Sequence, residues 1–242
     1  MNTKTIAVIM TYNCAHLIER AVAEMPKHLF DAILCADDGS TDGTVVVARG
    51  LGLDVRSHPH MGYGGNLRYG MQQALLMGAS EIVEVHGDGQ FDYSAIPSVI
   101  ARLHEGCDIV LGNRFYDLRQ PLKDGMSLVR YFGNLTLSYI GRFGMGIAPR
   151  DLFTGTRGYS RRLIESLNFS ASNAGYFFSF EIIAQARDRR LRFGEIQTRC
   201  DYRGAHTSMK LWKGIPEAFQ TCGVVVRYWL AQLGVRTGIF SR

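Results

Sequence analysis

Short apolar runs ending in polar turns alternate, through the first half of the chain, with stretches of helical spacing. Ile6-Ala7-Val8-Ile9-Met10 predicts a buried strand that empties into Thr11-Tyr12-Asn13, and helical spacing follows from about His16 to Met25. Ala32-Ile33-Leu34-Cys35-Ala36 predicts a second strand, ending at Asp37-Asp38-Gly39-Ser40, where Ser40 or Thr41 can cap a helix running to about Leu51. A short third strand is expected at Asp54–Ser57 and a long helix from the Gly62-Tyr63-Gly64-Gly65-Asn66 segment to Met77. Glu81–Val85 predicts the fourth strand, a helix is expected near Ala95–Glu105, and Ile109–Gly112 predicts the fifth strand. This alternation specifies an α/β fold with a mostly parallel central sheet flanked by helices. Ligands of such sheets gather at the carboxyl ends of the strands, where each polar cluster named here falls.

The second half departs from that rhythm. Residues 124–145 carry Met126, Val129, Phe132, Leu135, Tyr139, Ile140 and Phe143 at helical spacing. Strands are expected near Thr156–Ser160 and Phe193–Thr198, with a helix near Phe180–Arg189 between them. The last helix sets Ile215, Phe219, Cys222, Val226, Trp229, Leu230 and Leu233 on one stripe. Amphipathic stripes of this kind ordinarily face the protein's own core. There is no internal repeat or low-complexity linker, so a single domain with a C-terminal elaboration is the simplest organisation.

Charge sharpens this picture. The net charge of +5 hides an acidic first half, −5 over residues 1–121, and a basic second half, +10 over residues 122–242. The acidic half offers metal ligands; the basic half suits phosphates or an anionic membrane surface. The run Arg187-Asp188-Arg189-Arg190-Leu191-Arg192 reads as a solvated face, and no nucleic-acid partner is expected. Five widely spaced cysteines without a CxxC pair argue against a disulfide framework or structural zinc. With no signal-like N-terminus and no apolar stretch of about 20 residues, we expect a cytoplasmic protein that can lie peripherally on the cytoplasmic face of a membrane.

Five clusters carry candidate chemistry. His86, Asp88 and Gln90 share one direction if the chain stays extended past the fourth strand, presenting nitrogen and oxygen ligands to Mn²⁺ or Mg²⁺; the competing reading is a simple Asp-Gly turn. Asp37 and Asp38 can accept hydrogen bonds from a nucleobase or ribose. The glycine-rich 62–66 segment, with Asn66 and Arg68 beyond it, is either a phosphate cradle at a helix start or a loop needing positive φ. Asp151 and Arg157 flank a turn, with Asp151 a candidate general base for an acceptor hydroxyl. Arg203 and Lys210 lie in a glycine-containing segment suited to closing over a diphosphate.

In this order, Met10-Thr11-Tyr12-Asn13, Asp37-Asp38-Gly39-Ser40-Thr41-Asp42-Gly43-Thr44, Asp88-Gly89-Gln90, Gly112-Asn113-Arg114 and Thr154-Gly155-Thr156-Arg157 resemble the family 2 glycosyltransferases of the GT-A fold. The likeness is greatest to the branch of dolichol- and polyprenyl-phosphate sugar synthases, over roughly residues 5–210. It implies an inverting enzyme that moves a sugar from a UDP-, GDP- or dTDP-linked donor to a lipid-phosphate or glycan acceptor with a divalent metal. Thr11, Tyr12, Asn13, Asp37 and Asp38 would border the nucleoside, with Asn66, Arg68 and Arg114 also on the donor. Asp88, with Gln90 and His86, would hold the metal. Asp88, Asp151 and Arg203 would be the catalytic set, and Arg130, Asn134, Arg157 and Lys210 would meet the acceptor. His86 stands where the family writes the first acid of Asp-x-Asp. The resemblance makes residues 1–210 the catalytic domain and 211–242 an amphipathic extension packed on it or on a membrane. A nucleotidyltransferase is disfavoured because Thr11-Tyr12-Asn13-Cys14 is not a glycine-rich triphosphate loop; a non-catalytic nucleotide-sugar-binding module is the remaining rival.

Overall fold

In the computed structural model, which describes residues 3–203 and 214–241, seven strands form one sheet. The strands are β1 (Thr5–Thr11), β2 (Ala32–Asp37), β3 (Asp54–Ser57), β4 (Glu81–His86), β5 (Ile109–Asn113), β6 (Arg157–Ser160) and β7 (Phe193–Gln197). Their order is β3-β2-β1-β4-β6-β5-β7. Only β6 runs antiparallel to its neighbours β4 and β5, which makes the sheet mostly parallel, as the alternation of strands and helices predicts. Every residue of central β1 is buried, because helices cover both of its faces.

The strand faces divide the core. Ile6, Val8 and Met10 join Leu67, Met71, Phe178 and Ile182 on the side of α3 (Tyr63–Leu76) and α8 (Phe178–Asp188). Ala7 and Ile9 join Ile18, Val22, Val99 and Leu103 on the side of α1 (Ile18–Glu24) and α4 (Ile96–His104). The short helices α2 (Thr44–Gly50), α5 (Gln120–Lys123) and α7 (Arg161–Ser166) fill connections.

Two helices turn part of their apolar stripes outward. In α6 (Leu128–Met145) the buried positions are Tyr131, Leu137, Ser138, Gly141 and Met145. Of the predicted apolar stripe, Val129, Phe132, Tyr139 and Phe143 are exposed instead. In α9 (Gly214–Gln232) Val224, Tyr228 and Ala231 enter the core, while Phe219, Val226, Trp229 and Leu230, and Leu233 just beyond the helix, point outward. The two helices pack side by side through small and mid-sized residues, and Trp229 donates its indole N–H to the Gly144 carbonyl at 2.6 Å. Periodicity identified the stripes but not their direction. Among the described residues no helix is long and apolar enough to cross a membrane. Lys210 and the side chain of Ile215 lie outside the described residues.

Candidate active site

The strand order reverses between β1 and β4: β1 is followed on one side by β2 and β3, and the chain then returns to place β4 on the other. A crevice outside the carboxyl ends of strands at such a switch point is where open α/β sheets bind ligands. Tyr12 follows β1 there, Asp88 follows β4, and Asp37-Asp38 ends the neighbouring β2.

The acidic pair is committed to internal bonds. Asp37 is fully buried and accepts from Thr11 Oγ1 (3.2 Å), Ser40 Oγ (2.5 Å), Ser40 N (3.0 Å) and Ser57 Oγ (2.8 Å). Asp38 accepts from Met61 N (2.7 Å) and Gly62 N (3.0 Å), and its Oδ2 lies 2.8 Å from His60 Nδ1. The glycine-rich segment therefore does hold an anion at a helix start, but the anion is the Asp38 carboxylate. Gly64 serves close packing: a Cβ there would lie 2.5 Å from the Gly175 carbonyl oxygen. Gly39, at φ +71°, lets β2 turn against the 58–60 backbone, where a Cβ would meet His60 N at 3.0 Å.

Several candidate donor ligands are likewise structural. Buried Asn66 bridges the Thr11 and Ala36 carbonyls and pairs with His58 Nε2 at 2.9 Å. Asn13, at φ +48°, accepts from Thr41 N at 2.8 Å and ties the first loop to the second. Arg68 turns away to the Phe169 carbonyl and stacks over Phe178. Tyr12 differs: it is 46% exposed and stacks on His60 with ring centroids 4.4 Å apart.

Past β4 the chain does not stay extended. Gly87-Asp88 forms a turn, Gly89 has φ +65°, and Asp88 Oδ1 accepts from Gln90 N at 3.1 Å. His86 points back along its own strand, with Nε2 3.1 Å from Glu84 Oε1 though out of line for a hydrogen bond. His86, Asp88 and Gln90 are thus not aligned as three ligands, and among the described residues no three His, Cys, Asp or Glu side chains gather around a metal-sized site. Half-buried Asp88 is the carboxylate left at the crevice.

Glu84 anchors a buried network absent from the sequence expectations. Tyr63 and Tyr159 both donate to it, the latter at 2.6 Å, and Ser179 Oγ donates to the Tyr63 hydroxyl at 3.2 Å. Burial alone raises a carboxyl pKa, but His86 and the nearby Arg157 more than offset that and hold Glu84 below its ordinary value. Burial disfavours the His86 imidazolium, and Glu84 more than offsets this, raising its pKa. The signal for this network was a charged residue inside the otherwise apolar run Ile82-Val83-Glu84-Val85.

Asp151 and Arg157 from the acceptor-side expectations, and Arg114 from the donor-side ones, are committed to internal bonds. Asp151 is fully buried and bound by Arg114 through Nε (2.7 Å) and Nη2 (2.9 Å), so it offers no free carboxylate to act as a base. Arg114 also donates to the Tyr202 hydroxyl (2.6 Å) and the Phe153 carbonyl (2.9 Å); burial lowers its pKa, and the Asp151 carboxylate overrides this and keeps it charged. Arg157 is 1% exposed and spends its guanidinium on the carbonyls of Thr154, Ser179 and Leu152. Both guanidiniums are engaged by protein groups. Arg130 and Asn134 lie half-buried on α6, with Arg130 over the Tyr202 ring. Arg203 is exposed and donates to the Lys123 carbonyl.

Residues 6–168 match the sequence family described as Glycosyl transferase family 2. A UDP-N-acetylglucosamine–dolichyl-phosphate N-acetylglucosaminyltransferase of Methanococcus voltae is 25% identical over 81% of this chain and 84% of its own. A polyprenol monophosphomannose synthase of Mycolicibacterium smegmatis is 26% identical over 76% of this chain and 72% of its own. The fold is also that of glucosyl-3-phosphoglycerate synthase from Mycobacterium tuberculosis, solved with Mn²⁺, UDP and glucosyl-3-phosphoglycerate: TM-score 0.66 at 19% identity, covering 98% of this chain and 82% of the other. With the switch-point crevice, the Asp88 turn and a match over most of its length, the chain belongs to glycosyl transferase family 2.

Proposed function

We propose that this glycosyltransferase moves a sugar from a nucleoside-diphosphate donor to a lipid phosphate at an anionic membrane surface. The outward apolar stripes of α6 and α9 are the strongest support. Phe132, Tyr139 and Phe143 on α6, Phe219 and Trp229 on α9, and Leu233 just past α9 are all more than half exposed. Arg130 and Arg142 lie on α6 itself, matching an acyl layer edged by negative headgroups. A hollow of about 320 Å³ beside α6 combines Phe115, Leu135 and Tyr139 with Arg142 and Arg150, a lining suited to a phosphate carrying an apolar chain. The dolichyl- and polyprenyl-phosphate names of the relatives point the same way.

The buried Arg114–Asp151 pair bears on the chemistry. A hydroxyl acceptor would need a base, and Asp151 is spent on Arg114. A phosphate acceptor is already ionised at neutral pH and attacks the anomeric carbon directly, inverting it as the nucleoside diphosphate leaves.

The donor chemistry fits a divalent metal that arrives with its nucleotide. Asp88 and Gln90 would hold it, offering one carboxylate and one amide oxygen. When bound, Mn²⁺ or Mg²⁺ stabilises charge on the leaving diphosphate. Asp88 orients that diphosphate at the β4 end of the crevice, and Tyr12 covers the nucleoside at the β1 end. Arg203 is proposed to meet the diphosphate, and Arg130 and Asn134 to meet the acceptor phosphate. Co-sedimentation with vesicles tests the surface: binding is expected with anionic lipid, and equal absence of binding to anionic and neutral vesicles overturns the membrane reading in favour of a soluble acceptor.

A further inference from the structure

We propose that His60 is a base-reading residue of the donor site, presenting Nε2 to a ring N–H of a uracil, thymine or guanine base that lies against Tyr12. The inference rests on the nucleotide-sugar reading above.

Three observations carry it. First, His60 comes from the loop after β3 and leans over the carboxyl ends of β2 and β1, meeting Asp38 and Tyr12 on the β1 side of the switch-point crevice. Second, the two rings form a half-exposed platform: Tyr12 is 46% exposed, the His60 side chain is 54% exposed, and they stack at 4.4 Å with 27° between planes. Third, the imidazole is held in one orientation and one tautomer. Its Nδ1 lies between two acceptors, Asp38 Oδ2 at 2.8 Å and the Asp38 carbonyl at 3.3 Å, so in the neutral ring Nδ1 carries the proton. Nε2, on the opposite side of the ring, is then a hydrogen-bond acceptor facing away from buried Asp38.

This reassigns work the acidic pair was expected to do. The Asp38 oxygens are already taken by Met61 N, Gly62 N and His60. Asp38 thus acts through His60, aiming the ring in place of touching a base. A base paired edge-on to Nε2 lies in the imidazole plane, hence roughly parallel to the Tyr12 ring. Stacking on Tyr12 is tolerant of base identity; the hydrogen bond to Nε2 selects for a ring N–H.

The test is calorimetric titration of the full chain at pH 8 with Mn²⁺ and four probes: UDP, dTDP, GDP and 3-methyl-UDP, which lacks the ring N–H. Inorganic pyrophosphate serves as the base-free control. Wild type is expected to bind at least one of the first three, and, where that one is UDP, to bind 3-methyl-UDP about tenfold less tightly. His60→Phe keeps a ring on Tyr12 but removes Nε2; it is expected to weaken nucleoside diphosphate binding about five- to tenfold, erase any penalty for 3-methyl-UDP, and leave pyrophosphate binding unchanged. His60→Gln, which can restore an acceptor, recovers part of the loss. Unchanged nucleoside diphosphate binding by His60→Phe overturns the assignment alone. Equal losses for nucleotide and pyrophosphate also overturn it, since they mark a collapsed loop. Failure of wild type to bind any of UDP, dTDP and GDP overturns the donor reading and His60 with it.

Discussion

Arg114 grips Asp151 through two nitrogens, 2.7 and 2.9 Å from the two carboxylate oxygens, with both side chains shut away from solvent. The pair joins the end of β5 to the loop before β6 and sets the Tyr202 hydroxyl beside it. Removing one partner leaves a bare buried charge. Asp151→Ala is expected to lose about 3–5 kcal/mol in urea unfolding, and Arg114→Met/Asp151→Leu to lose less than that single change. An Asp151→Ala protein of unchanged stability with only its turnover abolished would restore the general-base role.

His86→Asp restores the family's Asp-x-Asp spelling and yet is expected to harm the protein. The side chain faces Glu84, so the change sets two carboxylates together in a dry network with Tyr63 and Tyr159. The cost is expected to reach that of a broken buried pair, about 3–5 kcal/mol. Thermal denaturation decides it; a variant as stable as wild type that binds Mn²⁺ more tightly would return His86 to the metal.

The Glu84–His86 pair also makes stability depend on pH. Glu84 has a lowered folded pKa, so its contribution is present above its ordinary value of about 4.5 and is lost as pH falls through the lowered value. His86 has a raised folded pKa, so its contribution is complete below about 6.5 and is lost as pH rises through the raised value. The Tm gap between wild type and Glu84→Gln/His86→Gln is therefore expected to be widest between about pH 4.5 and 6.5 and to narrow above that window. A gap that widens towards pH 9 contradicts the pairing.

Asp88→Asn is expected to abolish the gain in nucleoside diphosphate affinity that Mn²⁺ brings to wild type, at least about tenfold, while leaving folding intact because Asp88 lies at the crevice and, among the described residues, its carboxylate bonds within its own turn. Mn²⁺ without nucleotide is expected to bind wild type too weakly to titrate. Retention of the full metal effect by Asp88→Asn would remove Asp88 from the site.

Phe132→Ser/Phe143→Ser is expected to lower partition onto anionic vesicles at least about tenfold with no loss of Tm, since both rings are solvent-facing. An unchanged partition would place the membrane contact elsewhere.

The strands and most helices were legible because each strand is a compact apolar run ending in a distinctive turn, and the family was legible in the order of those turns. The direction of the α6 and α9 stripes was not, because helical periodicity gives a face without saying what covers it. The internal partners of Asp37, Asp38, Asp151 and Arg157 were not legible for a related reason: a motif names the residue at a strand end, but whether its polar atoms meet a ligand or another side chain depends on partners far away in sequence, such as Arg114 for Asp151 and Ser179 for Arg157. His60 gave little signal, since its meaning comes from Asp38 and Tyr12, both delivered by other strands.

The most direct test of the account is turnover in anionic vesicles containing polyprenyl phosphate, with a panel of UDP-, GDP- and dTDP-sugars and Mn²⁺. Free nucleoside diphosphate and sugar recovered in the lipid fraction are measured together. The expected result is that one donor yields both in equal amounts, only when the lipid phosphate is present. Donor binding with no release of nucleoside diphosphate, or release with no sugar entering the lipid, would contradict it.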